Sequence, residues 1–216
     1  MSDSIRHWNE VWTSKRFEET SWFQADPEPS LRWIDRAIAD GGSIERVVDA
    51  GCGVSFLCDR LLDRGSEVVG IDIAREAIDR LGVRIAEGGD GTGPARFTGI
   101  TGDLGAGDPL PSNAPPASLW HDRAVLHFLD GAARDRYAEN LRTHLAPGGH
   151  AIIAGFAPEG PERCSGIEVV RASARDIAGL LGDGFTLVDH AIEVHETPWN
   201  AEQAFQWTLW RRGKDA

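Results

Sequence analysis

The sequence predicts one α/β domain, a doubly wound, seven-stranded and mostly parallel sheet with one antiparallel strand near its end. Three observations carry this expectation. Short apolar runs alternate with stretches of helical periodicity, the pattern left by right-handed βαβ crossovers with helices on both faces. A length of 216 residues suits a single domain with a sizeable core. The last two strand-like runs are joined by a loop too short to hold a crossover helix, so they pair antiparallel.

An aromatic stretch with Trp8, Trp12, Trp22 and Phe23 comes first. Residues 26–42 follow as a helix with Asp26 as cap, Leu31, Ile34 and Ile38 at helical spacing, and Gly41 and Gly42 as stop. Residues 1–42 are expected to form a helical lid on the single domain 1–216, because the aromatic stretch precedes the sheet and has its rim to pack on. RVVDA (46–50) reads as a buried strand, and Val54, Leu57, Cys58, Leu61 and Leu62 as the face of a helix ended by Gly65. EVVGIDI (67–73) is the second strand, followed by a helix over 74–81 that stops at Gly82. A Gly-rich connection, EGGDGTGPAR (87–96), leads to a third strand near 96–100, and a fourth lies near 117–121. A helix over 131–145 ends at PGG, a fifth strand covers 150–156, and a helix covers 173–182. Strands at 185–194 and 203–212 close the chain, with Phe205, Trp207 and Leu209 alternating with polar positions.

Composition narrows the function. With 22 basic and 34 acidic side chains the net charge is −12, which disfavours nucleic acid and anionic membranes as partners. A cationic or neutral acceptor suits this field better. No apolar run approaches the roughly 20 residues of a membrane span. The N-terminal MSDSIRHWNE has no apolar signal core, and Cys52, Cys58 and Cys164 are odd in number. Together these lead us to expect reduced thiols and a cytoplasmic protein.

The most informative stretch is VVDAGCGVSFLCDRLL (47–62). Gly51 and Gly53 allow a sharp turn and close approach of backbone to ligand, and the helix start offers free N–H groups. A dinucleotide fingerprint asks for a third glycine at position 56, where this chain has Phe56. Asp49 just before the turn suits an ammonium-bearing ligand better than a pyrophosphate. Asp72 ends the second strand, where an acid can bind both hydroxyls of a ribose, and Asp103 follows the third strand. An amino-acid end, a ribose and an adenine would use all three.

On DAGCG (49–53), GID (70–72), GDL (102–104) and LAPGGHAIIAGF (145–156), the sequence resembles the class I S-adenosylmethionine-dependent methyltransferases. The resemblance covers roughly 45–156, and the closing strands look like that family's terminal antiparallel pair. It implies a Rossmann-like fold, S-adenosylmethionine as cofactor and S-adenosylhomocysteine as product. It places Asp49 and the backbone of Gly51, Cys52 and Gly53 on the methionine moiety, Asp72 and Ile73 on the ribose side, and Asp103 and Leu104 near the adenine, with His121 beside them. Ser55 departs from the family's frequent third glycine.

Ligands in open parallel sheets bind beyond the carboxyl ends of the strands. LWHDRAVLHF (119–128) reaches that rim. His121 and Asp122 are the candidate catalytic residues, because a base is needed where an acceptor arrives protonated. The bland readings stand beside them: His121 satisfying a loop carbonyl, Arg123 ion-paired to Asp122, His127 in the core. Trp22, Phe23, Arg123, Cys164, His195 and Trp199 are the candidate substrate residues. No metal is expected, since His121 and His127 lack a chelating spacing. SWFQ, HDRAVLHF, PERCSG and HETPW resemble a subgroup of small bacterial methyltransferases with eukaryotic relatives that methylate protein lysines. The expected acceptor is a small molecule with a thiol, amine or hydroxyl, with a protein lysine as the alternative. A nicotinamide-dependent oxidoreductase and a binding module without turnover stay open, and the sequence leaves the oligomeric state unknown.

Overall fold

A computed structural model describes residues 2–88 and 93–214; the middle of the Gly-rich connection, residues 89–92, lies outside the described residues. In chain order the elements are α1 (Asp3–Ser14), α2 (Glu28–Ala39), β1 (Arg46–Ala50), α3 (Leu57–Asp63), β2 (Glu67–Asp72), α4 (Arg75–Glu87), a helical turn α5 (Gly93–Arg96) and β3 (Phe97–Thr101). They continue with β4 (Ala117–Arg123), α6 (Gly131–His144), β5 (Leu145–Phe156), a small hairpin of β6 (Arg163–Cys164) and β7 (Ile167–Glu168), α7 (Ala174–Leu181), β8 (Phe185–Glu196) and β9 (Glu202–Arg212).

The main sheet has the order β3-β2-β1-β4-β5-β9-β8. All its strands are parallel except β9, which runs antiparallel to both neighbours. The chain crosses from one half of the sheet to the other between β1 and β4. This is the switch point where open α/β sheets form a crevice. Both faces of the central strands are covered. Trp33, Ile34, Leu61 and Leu81 pack one face, and Tyr137, Leu141, Ile177 and Leu181 the other. Trp33 of α2 stacks on Trp207 of β9 at 5.8 Å between ring centroids, and its Nε1 donates to Glu193 at 2.9 Å. That contact makes α2 part of the helical layer.

Several elements differ from expectation, each for a local reason. α4 continues through Gly82 to Glu87. An interior glycine costs about 1 kcal/mol against alanine, and buried Leu81 and Ile85 with Arg84 tied to Asp59 and the Val54 and Ser55 carbonyls outweigh it. Asp26 does not cap α2, which starts after Pro27 without a side-chain cap. Ile38 is exposed, and Trp33 takes the buried position instead. PGG does not separate helix from strand. β4 and β5 pair at Ala117 with Leu145 and resume at Leu119 with His150, so the PGG segment loops out of one continuous strand. In β9 the residues between Phe205, Trp207 and Leu209 are buried as well, with Thr208 Oγ1 donating to the Ile153 carbonyl at 2.9 Å. Among the described residues no helix is long and apolar enough to cross a membrane.

Candidate functional site

One cavity follows the carboxyl ends of the strands from β3 across the switch point to β9. It has two unlike ends.

At the β1–β3 end, Asp49, Asp72 and Asp103 all line the cavity, because each sits at or just beyond a strand terminus. Asp72 accepts from Gly53 N–H at 3.0 Å and Ala74 N–H at 2.8 Å. Each carboxylate oxygen keeps a lone pair for a further donor. Burial, with the charge of Asp49 adding to it, pushes the Asp72 carboxyl up to about 6. Hydroxyl donors or a cation bound there would relieve that cost. Asp103 uses one oxygen to accept from Gly105 N–H at 2.9 Å, leaving the other for an amino group. Ile73 and Leu104 add apolar wall, and Cys52 also lines the cavity. The residues therefore fit an adenosine with a cationic amino-acid end, the expectation raised by the family resemblance.

The glycine loop is shaped by what presses on it. Gly51 and Gly53 have φ of +67° and +53°. A Cβ on Gly51 would lie 2.0 Å from Val125 Cγ2, and one on Gly53 would lie 2.8 Å from the Trp12 ring. The latter packing brings α1 over the loop. Arg80 of α4 secures it by donating to the Trp12 carbonyl at 2.7 Å.

LWHDRAVLHF divides by side. β4 extends to Arg123, and strand residues alternate between faces. His121 and Arg123 line the cavity, and Asp122 does not. His121 lies opposite Asp49 in the β1–β4 ladder. Its Nδ1 meets Asp49 Oδ1 at 2.8 Å and its Nε2 meets Ser30 Oγ at 3.0 Å. Both ring nitrogens are engaged, so His121 braces β1, β4 and α2. Asp122 is fully buried and accepts from Val125 N–H at 2.8 Å and Leu126 N–H at 3.1 Å. It clasps the turn that seats Val125 on Gly51 and faces away from the cavity. Burial pushes its carboxyl up to about 6. The expected Asp122–Arg123 ion pair does not form, because the side chains leave the strand on opposite faces.

The β4–β9 end is aromatic. Trp8 lies 4.9 Å from Phe128 and 5.8 Å from Trp22 between ring centroids, and Trp12 lies 5.9 Å from Trp22. Arg123 Nη1 donates to the Trp22 carbonyl at 3.0 Å, and its guanidinium lies 5.1 Å from the Phe205 ring centroid. Cys164 comes in from β6, its Sγ 4.0 Å from Ser21 Oγ, and burial pushes its thiol up. Of the other expected substrate residues, Trp22 lines the cavity, while Phe23, His195 and Trp199 do not. Phe23 packs on Phe17 at 5.0 Å. His195 Nε2 meets the Ser21 carbonyl at 2.8 Å and fastens the N-terminal segment to β8. Trp199 is 58% exposed at the β8–β9 turn, where nothing folds it inward. His127, expected in the core, is buried yet lines the cavity, as do Phe128, Phe205 and Gln203.

Comparison with known proteins agrees with this geometry. Residues 48–151 match the family model described as a methyltransferase domain. Over that stretch the chain is similar to methyltransferase domains. The match spans β1 to the middle of β5, including all three acids. A methyltransferase from Anabaena variabilis, described as S-adenosylmethionine-dependent, superimposes with a TM-score of 0.74 at 15% identity, covering 98% of this chain and 96% of that one. The glycopeptide N-methyltransferase MtfA complexed with S-adenosyl-L-methionine gives 0.62 at 17% identity over 91% of this chain and 98% of that one. A 2-heptyl-1-hydroxyquinolin-4(1H)-one methyltransferase of Mycobacteroides abscessus is 28% identical over 142 residues, 62% of this chain and 55% of the relative. The chain thus spans little more than half the length of that relative.

Proposed function

We propose that this chain transfers the methyl group of S-adenosylmethionine to a small aromatic acceptor bound at the β4–β9 end of the cavity. The observation that carries the proposal is the continuity of one cavity from three strand-end acids to an aromatic wall of Trp8, Trp22, Phe128 and Phe205. S-adenosylmethionine, when bound, supplies an electrophilic methyl group on a sulfonium. Asp49, Asp72 and Asp103, with Ile73, Leu104 and the Gly51–Gly53 backbone, would hold it and turn its charged end toward the switch point. The aromatic faces suit a cationic centre. Residues 3–24 act as the lid that excludes water, and alignment with exclusion of water supplies much of the acceleration in a direct displacement.

The likeness to a hydroxyquinolinone methyltransferase supports a hydroxylated aromatic acceptor. A protein lysine is the less favoured acceptor, since the cation of Arg123 faces the acceptor end and would repel an ammonium. The test is incubation with S-adenosylmethionine carrying a labelled methyl, a panel of aromatic hydroxyl, amine and thiol compounds, and protein substrates. Label in aromatic products, with none in protein, is the expected result. Label confined to protein, or stabilisation by NAD(P) but not by S-adenosylhomocysteine, would contradict the proposal.

A further inference from the structure

Resting on the reading of this cavity as an acceptor site, we propose that Arg123 and His127 form a recognition site for an ionised oxygen on a flat aromatic acceptor, an aryl oxyanion. Among the described residues only a few buried side-chain polar atoms lack a hydrogen-bond partner, and two of them, Arg123 Nη2 and His127 Nε2, belong to cavity-lining residues. Buried donors without partners cost free energy, so a pair in one cavity points to a ligand that completes them.

The chemistry of both atoms follows from their neighbours. Phe156 N–H donates to His127 Nδ1 at 3.2 Å. That nitrogen is therefore an acceptor, and a neutral imidazole carries its proton on Nε2. Burial, together with the charges of Arg123 and Arg134, pushes His127 down to about 3, so the ring is neutral at physiological pH. Arg123 is lowered by burial to about 10 and stays charged. Both unpartnered atoms are donors.

Among the described residues no carboxylate pairs with them. Asp122 is on the other face, Asp49 is engaged by His121 and Cys58, and the nearby Cys164 thiol is held neutral. Arg134, close to His127, adds positive charge while donating to the Leu126 and Leu129 carbonyls. The acidic protein as a whole suggests a cationic or neutral acceptor, but in a low-dielectric pocket the nearest charges decide. Aromatic faces from Phe128, Phe205, Trp8 and Trp22 specify the flat body to which that oxygen is attached. His127 cannot serve as a base in this arrangement. An acceptor that arrives ionised needs none from the chain.

The test compares binding of 4-nitrophenolate, at a mildly alkaline pH where the phenol is ionised, with binding of nitrobenzene. Calorimetry is run on the full chain saturated with S-adenosylhomocysteine. The wild-type chain is expected to prefer the phenolate by about 10-fold or more, the scale of a charge-assisted hydrogen bond. Arg123→Met should lose most of that preference and His127→Phe part of it, with nitrobenzene affinity unchanged within about 2-fold. Equal wild-type affinities would overturn the proposal without any variant, as would a preference that survives both substitutions. Failure of S-adenosylhomocysteine to bind the wild-type chain would instead count against the methyltransferase reading.

Discussion

The two ends of the cavity are built in different ways. The β1–β3 end is local: three acids at the ends of successive strands and one glycine turn, with Asp49 and Asp72 each in its own strand–turn–helix unit and Asp103 turned back on the Gly105 N–H. The β4–β9 end is assembled from distant segments. Arg123 is held by the Trp22 carbonyl, Cys164 meets Ser21, and His195 fastens Ser21 from β8. The first end offers negative charge and the second offers unpartnered donors. A cofactor site built on rigid, short units can stay constant while an acceptor site made of loops and a terminal helix varies, as binding residues on loops commonly do.

The largest effect should come from the hinge between the two ends. Gly51→Ala places a Cβ against Val125 at a positive φ, and strain of this kind costs on the order of 2–3 kcal/mol or more. Urea unfolding should show that loss. A variant as stable as the wild-type chain would remove Val125 as the clamp on the loop. Asp122→Asn should come next, lowering stability by about 1–2 kcal/mol as the buried turn loses an acceptor. The chain that does fold should still turn over. Loss of turnover at full stability would return Asp122 to the chemistry.

This difference also decides what the sequence makes legible. Asp49, Asp72 and Asp103 could be placed because the strand ends that carry them show in apolar runs of a few residues. The acceptor end could not, since no local pattern says that residue 123 will meet residue 22, or residue 164 residue 21. One misplacement had a readable signal. Running β4 two residues further, by the period of two, separates His121 and Arg123 from Asp122. His127 had no such signal, because a single 3-10 turn over Leu126–Phe128 sets its direction. Trp199 looked like a loop aromatic at the rim, and the structure leaves it exposed and outside the cavity lining.

A further prediction concerns pH. In the fold His127 stays neutral down to about 3, against an ordinary value of 6.5. The unfolded chain therefore takes up this proton first, and the contribution to stability is full above about pH 6.5 and falls as the pH drops toward 3. His127→Phe should flatten that part of the stability curve by close to one proton, read from urea midpoints across the range. An unchanged slope would mean that the histidine is solvated.

The central claim is that cofactor and acceptor recognition are separate functions of one cavity. It is tested most directly by titrating S-adenosylhomocysteine into Asp72→Ala and Arg123→Met by calorimetry. Asp72→Ala should weaken binding by about 10- to 100-fold, while Arg123→Met stays within about 2-fold of the wild-type chain. Equal losses in the two variants, or a loss confined to Arg123→Met, would contradict the division.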